Sequence, residues 1–170
     1  MRHCIAALFV SAGCLASCAT DTLYHHYEAT GENGWERTDT LCFHLPHLPG
    51  HRHVGLEIGI RHRSNYPYKD LWLALSRPLS PHLPADTFHL YLADSTGQWS
   101  GSGIAGFAYQ YALPLLPYAL NDNDTVLHIT HLMRKECLEG ICDVGVRLSA
   151  LPSGINAQKD EQQDGKPPER

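Results

Sequence analysis

One cysteine near the amino terminus has the neighbours that lipid attachment requires. Cys18 ends a Leu-Ala-Ser-Cys sequence that begins at Leu15, and an apolar run over residues 5–10 precedes it. This order is typical of a bacterial lipoprotein signal peptide, in which small residues enter a peptidase groove and the cysteine then carries a diacylglycerol. The apolar run is shorter than the roughly 20 residues that cross a bilayer. We therefore predict that residues 1–17 form a signal peptide and that Cys18 is lipidated.

Thiol chemistry is the next candidate, because the chain contains six cysteines. Two would leave with the signal peptide and Cys18 would be acylated, so Cys42, Cys137 and Cys142 would remain in an oxidising compartment. Gly140 lies between the last two and permits a turn that brings their Cα atoms within the 4.4–6.8 Å range of a disulfide. The alternatives are buried or free thiols, with Cys42 as partner or bystander. We retain Cys137 and Cys142 as the candidate disulfide.

Histidines are numerous in the chain, 12 in all, and several are closely spaced. The most tempting as metal ligands are His44, His47, His51, His53 and His62. A metal site needs ligands that converge at about 2.0–2.1 Å and are held there by further hydrogen bonds. The sequence has neither His-Glu-x-x-His nor Cys-x-x-Cys. We therefore predict histidine-rich surface loops, with no metal and no cofactor.

The stretch Asp94–Gly103 is rich in glycine and serine and superficially resembles a phosphate-binding loop. It lacks the Gly-Lys-Ser/Thr that completes such a loop. We predict instead a hairpin turn over Asp94–Gly97, followed by a strand that carries Trp99. The indole of Trp99 would either fill a sheet face or present a flat surface to a sugar or a protein. We find no nucleophile elbow, paired carboxylates or Cys/His pairing with meaningful spacing, and we predict no enzymatic activity.

Short runs of alternating apolar and polar residues would position these side chains. Alternation with a period of two is the pattern of half-buried strands, and turn residues separate the runs. We expect a helical turn near Met133 but find no sustained helical periodicity. The pattern predicts an all-β fold, an antiparallel β-sandwich or jelly-roll-like single domain. The runs cover residues 41–45, 54–61, 71–76, 87–92, 107–111, 127–129 and 144–148.

Composition divides the chain into four segments. After the signal peptide 1–17, we predict a lipid-anchored segment and linker over 18–36 and a β-sandwich domain over 37–151. A disordered tail over 152–170 follows, because it holds too few apolar side chains to offset the entropy of ordering. The net charge of −5 at neutral pH argues against nucleic-acid binding.

Four motifs in order resemble those of the gliding-motility lipoprotein GldH family of Bacteroidota. They are a Tyr-Pro-Tyr turn at 66–68, the Asp94–Gly103 stretch, Met133-Arg134, and a Gly-Ile-x-Asp-Val-Gly strand beginning at Gly140. The resemblance runs from about Tyr24 to Leu148. The histidine- and proline-rich loops and the cysteines at 137 and 142 depart from the family pattern.

The resemblance implies a cell-envelope lipoprotein without enzymatic activity, needed for gliding in members that glide. It would act as an accessory or scaffold beside machinery that also serves type IX secretion, and its partners would be other envelope proteins. Tyr66, Tyr68 and Trp99 are the candidate contacts, since exposed aromatics dominate interface energies; packing in the core or in turns is the alternative. A different hypothesis is a surface lipoprotein that binds glycans through the same aromatics.

The residues directly after Cys18 indicate which side of the membrane the domain faces. Residues 19–21 read Ala-Thr-Asp and lack the acidic cluster that surface-exported lipoproteins of this phylum share. We therefore predict a lipid anchor in the outer membrane with the domain facing the periplasm.

Overall fold

The computed structural model describes residues 21–48, 53–104, 108–113 and 116–151. Regular structure in these ranges consists of β-strands, so the predicted all-β class is confirmed. Within them, no helix has the length and apolar character needed to cross a membrane. The expected helical turn near Met133 is an irregular bend. The predicted signal peptide, Cys18 and the predicted tail lie outside the described residues.

Twelve strands make up the described structure. In chain order they are β1 Thr22–Ala29, β2 Trp35–Glu36, β3 Leu41–His44, β4 His53–His62, β5 Asp70–Ser76, β6 Asp86–Tyr91, β7 Ser102–Ile104, β8 Ala108–Ala112, β9 Leu116–Ala119, β10 Val126–His131, β11 Cys137–Leu138 and β12 Ile141–Ala150. All their pairings are antiparallel.

The larger sheet has six strands and is built on the long pair β4 and β12. The order is β1-β12-β4-β8-β7, and β9 pairs with the first half of β4 beside β8. The register of the central pair places Val54 opposite Ala150 and Ile60 opposite Val144. Because opposed residues share a face, the apolar residues of both strands point to the same side.

The smaller sheet has four strands in the order β3-β10-β5-β6. Leu73 lies opposite Phe88 on one side and opposite His131 on the other. The inner faces of the two sheets supply most of one continuous buried core. Its fully buried larger side chains are Trp35, Phe43, Leu56, Ile58, Ile60, Leu71, Leu73, Leu75, Leu90, Leu92, Leu127 and Ile129.

The structure corrects the described part of the segment predicted as a linker, residues 21–36. Residues Thr22–Ala29 form the edge strand β1, which pairs with β12 almost along its whole length. Trp35 in β2 is fully buried, and β2 pairs with β11 as a small separate sheet. Backbone pairing and one large apolar side chain hold this polar stretch in the domain, although it lacks a clear alternating pattern.

The two ends of the sandwich differ in what they contain. At the first, which we call the terminal end, β1 begins at Thr22 and β12 finishes at Ala150, beside the start of β4. At the other, which we call the motif end, Gly140 in the turn before β12 meets the loop between β4 and β5. The motif end therefore gathers the Tyr-Pro-Tyr and Gly-Ile motifs that lie far apart in sequence.

Candidate functional site

The turn at Gly140 fixes the motif end. Gly140 has a φ of +90°, a left-handed conformation that favours glycine, and a Cβ there would lie 2.9 Å from the backbone nitrogen of Tyr66. The backbone N–H of Arg63 donates to the carbonyl of Gly140 at 2.7 Å. The two loops are therefore in direct backbone contact, which explains why glycine stands at this position.

Tyr66, one of the predicted contacts, lies inside the domain. Its side chain is 2% exposed, and its hydroxyl donates to the carbonyl of Asp70 at 2.9 Å. Burial raises the pKa of Tyr66 far above its ordinary value. Tyr68 packs against it at 5.6 Å between ring centroids and stays half-buried. The arrangement favours the packing role for Tyr66 and leaves part of Tyr68 accessible.

Trp99, the third predicted contact, is partly buried against the core. Its ring lies 4.5 Å from that of His62, which is fully buried at the end of β4, and burial lowers the pKa of His62. The expected strand at Trp99 is a single bridge to Ala93. The expected turn at Asp94 is present. This packing removes the flat, exposed indole on which the glycan hypothesis relied.

The turn at Asp94 is held by its own carboxylate. One oxygen of Asp94 accepts from the backbone N–H and hydroxyl of Thr96 and from the backbone N–H of Gln98, at 2.6–3.0 Å. These hydrogen bonds, that of the Thr96 hydroxyl first, lower the pKa of Asp94. Gly97 supplies the left-handed position with a φ of +87°. The motif's polar residues are therefore engaged in turn formation.

The outer face of the four-stranded sheet, which we call the open face, carries aromatic residues that the sequence did not single out. Trp72 on β5 lies opposite His89 on β6, and the two rings stack at 3.9 Å with an interplanar angle of 14°. His89 Nε2 is 2.6 Å from a carboxylate oxygen of Asp70, and its ring also contacts Tyr91. The cross-strand row thus fixes the orientation of the Trp72 indole.

A groove opens on the side of Trp72 that faces away from His89. The backbone N–H of Leu132 donates to the carbonyl of Trp72, so the chain beyond β10 runs beside β5. The groove has a volume of about 490 Å³. Its lining residues are Tyr68, Asp70, Trp72, Leu132, Met133, Arg134 and Lys135. Tyr68 and the Met-Arg motif thus meet here, although the chain separates them widely.

The outer face of the six-stranded sheet, which we call the covered face, has the opposite character. Tyr27 on β1 lies across Gly145 and Gly59, a directly opposed pair on β12 and β4. The guanidinium carbon of Arg61 lies 3.9 Å from the centroid of the Tyr27 ring. The missing side chains at the glycines make room for the tyrosine, which therefore caps its own sheet.

The cysteines remain thiols in the structure. Cys42, Cys137 and Cys142 are all free. The Cys137 thiol donates to the carbonyl of Asn33 at 3.4 Å, and that of Cys142 donates to the carbonyl of Gly140 at 3.8 Å. The candidate disulfide is therefore not formed here and stays a prediction for the oxidised protein. Thiol labelling of the unfolded protein tests it, because a bridge would hide two of the three thiols.

The predicted histidine sites are scattered through the described structure. His44 ends β3 and His53 begins β4, both exposed, whereas His62 is buried at the far end of β4. His47 lies in an exposed loop, and His51 is outside the described residues. In the part of the chain that the structure describes, no three histidine, cysteine or acidic side chains come together as a metal site requires.

Sequence comparison relates the chain to known proteins. The family model for the GldH lipoprotein matches residues 22–148. The gliding motility lipoprotein GldH of Flavobacterium johnsoniae is 27% identical over 149 residues, which cover 83% of this chain and 92% of the relative. The matched range begins with β1 and ends within β12, so the similarity extends over both sheets.

Comparison with solved structures adds no argument about the fold. The coat protein of Tobacco streak virus aligns with 80% of this chain and 95% of its own, at 8% sequence identity and a TM-score of 0.26. A score this low does not indicate a shared fold. The architecture therefore rests on the strand pairing and burial of this chain itself.

Proposed function

Because the chain belongs to the GldH lipoprotein family, we propose that it acts as a non-enzymatic accessory or scaffold subunit of gliding and type IX secretion-associated machinery. It would be tethered through Cys18 to the periplasmic leaflet of the outer membrane and would bind other envelope proteins. The observation that carries the proposal is the open face, where large apolar side chains and a groove remain uncovered next to the motif end. Exposed apolar patches of this kind are typical of protein interaction sites.

The position of Cys18 supports a specific orientation. Thr22, the first residue of β1, lies four positions after Cys18. Such a segment spans at most about 14 Å even when fully extended. The terminal end would therefore lie close to the membrane, and the motif end, about 30 Å further along β12, would face away from it. This orientation would present the motif end and the adjoining groove to a partner.

The motif residues support a scaffold rather than a catalyst. Tyr66 and Trp99 pack into the domain, and Gly140 serves a tight contact between loops. Each of these residues shapes the motif end, which borders the groove through Tyr68. The family motifs would then preserve the shape of a binding surface.

Gene deletion in the source bacterium tests the proposal. We expect deletion to impair secretion of type IX cargo, or cell spreading where the organism glides, and wild-type protein to restore it. Cys18→Ser should fail to restore it, because the domain would lose its anchor. Cys42→Ser is the matched control. It should restore function, because Cys42 lies in strand β3 and is not the predicted lipid attachment site. Normal secretion, spreading and envelope assembly after deletion would refute the proposal.

A further inference from the structure

We infer that the groove on the open face binds an acidic, apolar segment of a partner protein, and this inference rests on the proposed function. An aromatic or long aliphatic side chain of the segment would lie between Trp72 and Leu132. A neighbouring carboxylate would pair with Arg134 and Lys135. Three features of the groove support this inference: its exposed apolar surface, its fixed shape and the charge beside it.

The exposed apolar surface is concentrated on this one face. Trp72 is 39% exposed, Leu132 50% and Tyr91 62%. They lie on adjoining chain segments, since Leu132 hydrogen-bonds beside Trp72, and Tyr91 lies opposite Asp70 on the neighbouring strand. Trp72 and Leu132 lie side by side at the groove, and Tyr91 extends the exposed surface on the far side of His89. Together they form a patch, in contrast with scattered single residues.

The shape of the groove is fixed before anything binds. One face of the Trp72 indole is stacked on His89, and His89 is held by the carboxylate of Asp70. His89 does not line the groove, so the groove borders the other side of Trp72. Tyr68 and Met133 are anchored against the core. A preformed wall lowers the entropic cost of binding.

The charge beside the groove indicates which apolar segment fits. In the described part of the chain, Arg37, Arg77 and Arg147 each pair with a carboxylate. No described carboxylate lies within ion-pair distance of Arg134 or Lys135. What distinguishes these two adjacent cations is their place: they line the groove, where they outnumber its one carboxylate, Asp70, which is held by His89. They therefore favour a partner that carries its own carboxylate.

A protein segment fits the groove better than a neutral sugar. Leu132 and Met133 line the groove beside Trp72 and offer aliphatic contacts, which complement apolar side chains, whereas the hydroxyls of a neutral sugar would lose hydration against them. The volume of about 490 Å³ accommodates one large side chain with its flanking backbone. Glycan binding is an alternative outcome of the experiment.

Peptide selection on the mature protein, purified from cell envelopes, provides the first test. A random-sequence display library of short peptides should yield binders that combine an aromatic or aliphatic residue with Asp or Glu. Synthetic peptides with the selected sequences should bind the Trp72→Ala variant, and the double variant Arg134→Gln/Lys135→Gln, at least about tenfold more weakly than the wild-type protein. Their affinity should also fall as salt rises. Binders without acidic residues, or binding unaffected by both variants, would overturn the inference.

The matched variants are Leu132→Asp and Leu79→Asp. Leu79 is 54% exposed, close to the 50% of Leu132, but it lies in the loop after β5 at the terminal end. Leu132→Asp should abolish binding and Leu79→Asp should leave it unchanged, while both melt within a few degrees of wild type. Equal loss in both variants would remove the groove as the site.

Photo-crosslinking in cells provides the second test. A photoreactive phenylalanine analogue replaces Leu132 in one strain and Leu79 in another. We expect position 132 to capture a defined segment with apolar and acidic residues, identified by mass spectrometry, and position 79 to leave that segment unlabelled. Labelling of glycan, or competition by neutral sugars, would replace the inference with glycan binding.

Failure of this inference is distinguishable from failure of the proposed function. If deletion of the gene impairs secretion or spreading but Leu132→Asp restores both fully, the protein is a functional subunit whose groove is not used. If deletion has no effect, the proposed function itself fails.

Discussion

The two outer faces of the sandwich treat their aromatic side chains in opposite ways. On the covered face, Tyr27 lies flat over two glycines and is itself covered by Arg61. On the open face, the Trp72 indole stacks on His89, and the other side of the indole borders a groove. An aromatic side chain on a sheet is therefore structural or accessible according to its cross-strand neighbours.

The charges follow the same division. On the covered face Arg147 pairs with Glu57 directly across the strands at 2.9 Å. Beside the open face, Arg134 and Lys135 have no carboxylate partner among the described residues. The ion pair of the covered face lies within the domain, whereas beside the open face apolar side chains and two cations stay exposed.

The largest expected effect comes from Gly145→Val. A Cβ at this position would lie 2.5–2.8 Å from ring carbons of Tyr27, so the ring must leave the sheet. Although valine is a better strand residue than glycine, we expect the free energy of unfolding to fall by about 3 kcal/mol. Urea denaturation measures it. In a Tyr27→Ala background the same change should cost much less; an equal cost there would show that Tyr27 is not the cause.

Acidic pH should lower the free energy of unfolding, because two histidines are buried between the sheets. His62 on the inner side of the larger sheet and His131 on that of the smaller are buried, and burial lowers the pKa of each below the ordinary 6.5. The unfolded chain therefore binds protons more readily. The stability that these neutral histidines contribute is full above pH 6.5 and is lost as pH falls below it.

The unfolded-state pKa of 6.5 limits the expected loss between pH 7 and 5.5 to about 1 kcal/mol for each histidine. Urea denaturation at the two pH values measures it. His131→Phe, which keeps a ring against Trp35, should remove about half of the pH dependence. A pH dependence unchanged by His131→Phe would exclude His131 as a contributor.

Alanine substitutions of Tyr27 and Trp72 compare the covered face and the open face directly. Tyr27→Ala should lower the free energy of unfolding by about 2 kcal/mol, because it uncovers two glycines and removes the Arg61 contact. Trp72→Ala should cost about 1 kcal/mol, mainly the stacking on His89. Thermal denaturation of both variants measures the difference. If Trp72→Ala proves the more destabilising, the open face is structural and the contrast is wrong.

The smallest expected effect concerns the charges. Glu57→Gln should lower the free energy of unfolding by about 0.5 kcal/mol at low salt, because Arg147 loses its partner, and by less at high salt. Arg134→Gln should leave stability nearly unchanged at either salt concentration. Urea denaturation in both conditions measures the two changes. A larger loss for Arg134→Gln would reveal that Arg134 stabilises the isolated domain.

The residues that formed the predicted strands show why much of the fold was predictable. Leu71, Leu73 and Leu75 alternate with less buried residues, and each is fully buried in β5. The edge strand β1 escaped prediction because backbone pairing holds it and neither side is uniformly apolar. Strands β2 and β11 have two residues each, too few for a period to be read.

The candidate site was predicted less well than the fold. Tyr68 lines the groove and stays a predicted contact, whereas Tyr66 is buried and Trp99 is partly buried against the core. Trp72, which also lines the groove, was not singled out from the sequence. A tryptophan at an outward strand position could have indicated a binding surface. Its surroundings, however, depend on His89 and Leu132, which neighbouring chain segments contribute.

The sequence by itself determined the features that depend on near neighbours. Alternation sets which residues of a strand share a face, and Gly97 with the Asp94 carboxylate sets a turn, because both act over a few residues. Only the tertiary structure decided which strands lie side by side. Strand order and register placed Tyr27 over two glycines and Leu132 beside Trp72, since such neighbours depend on packing of the whole core.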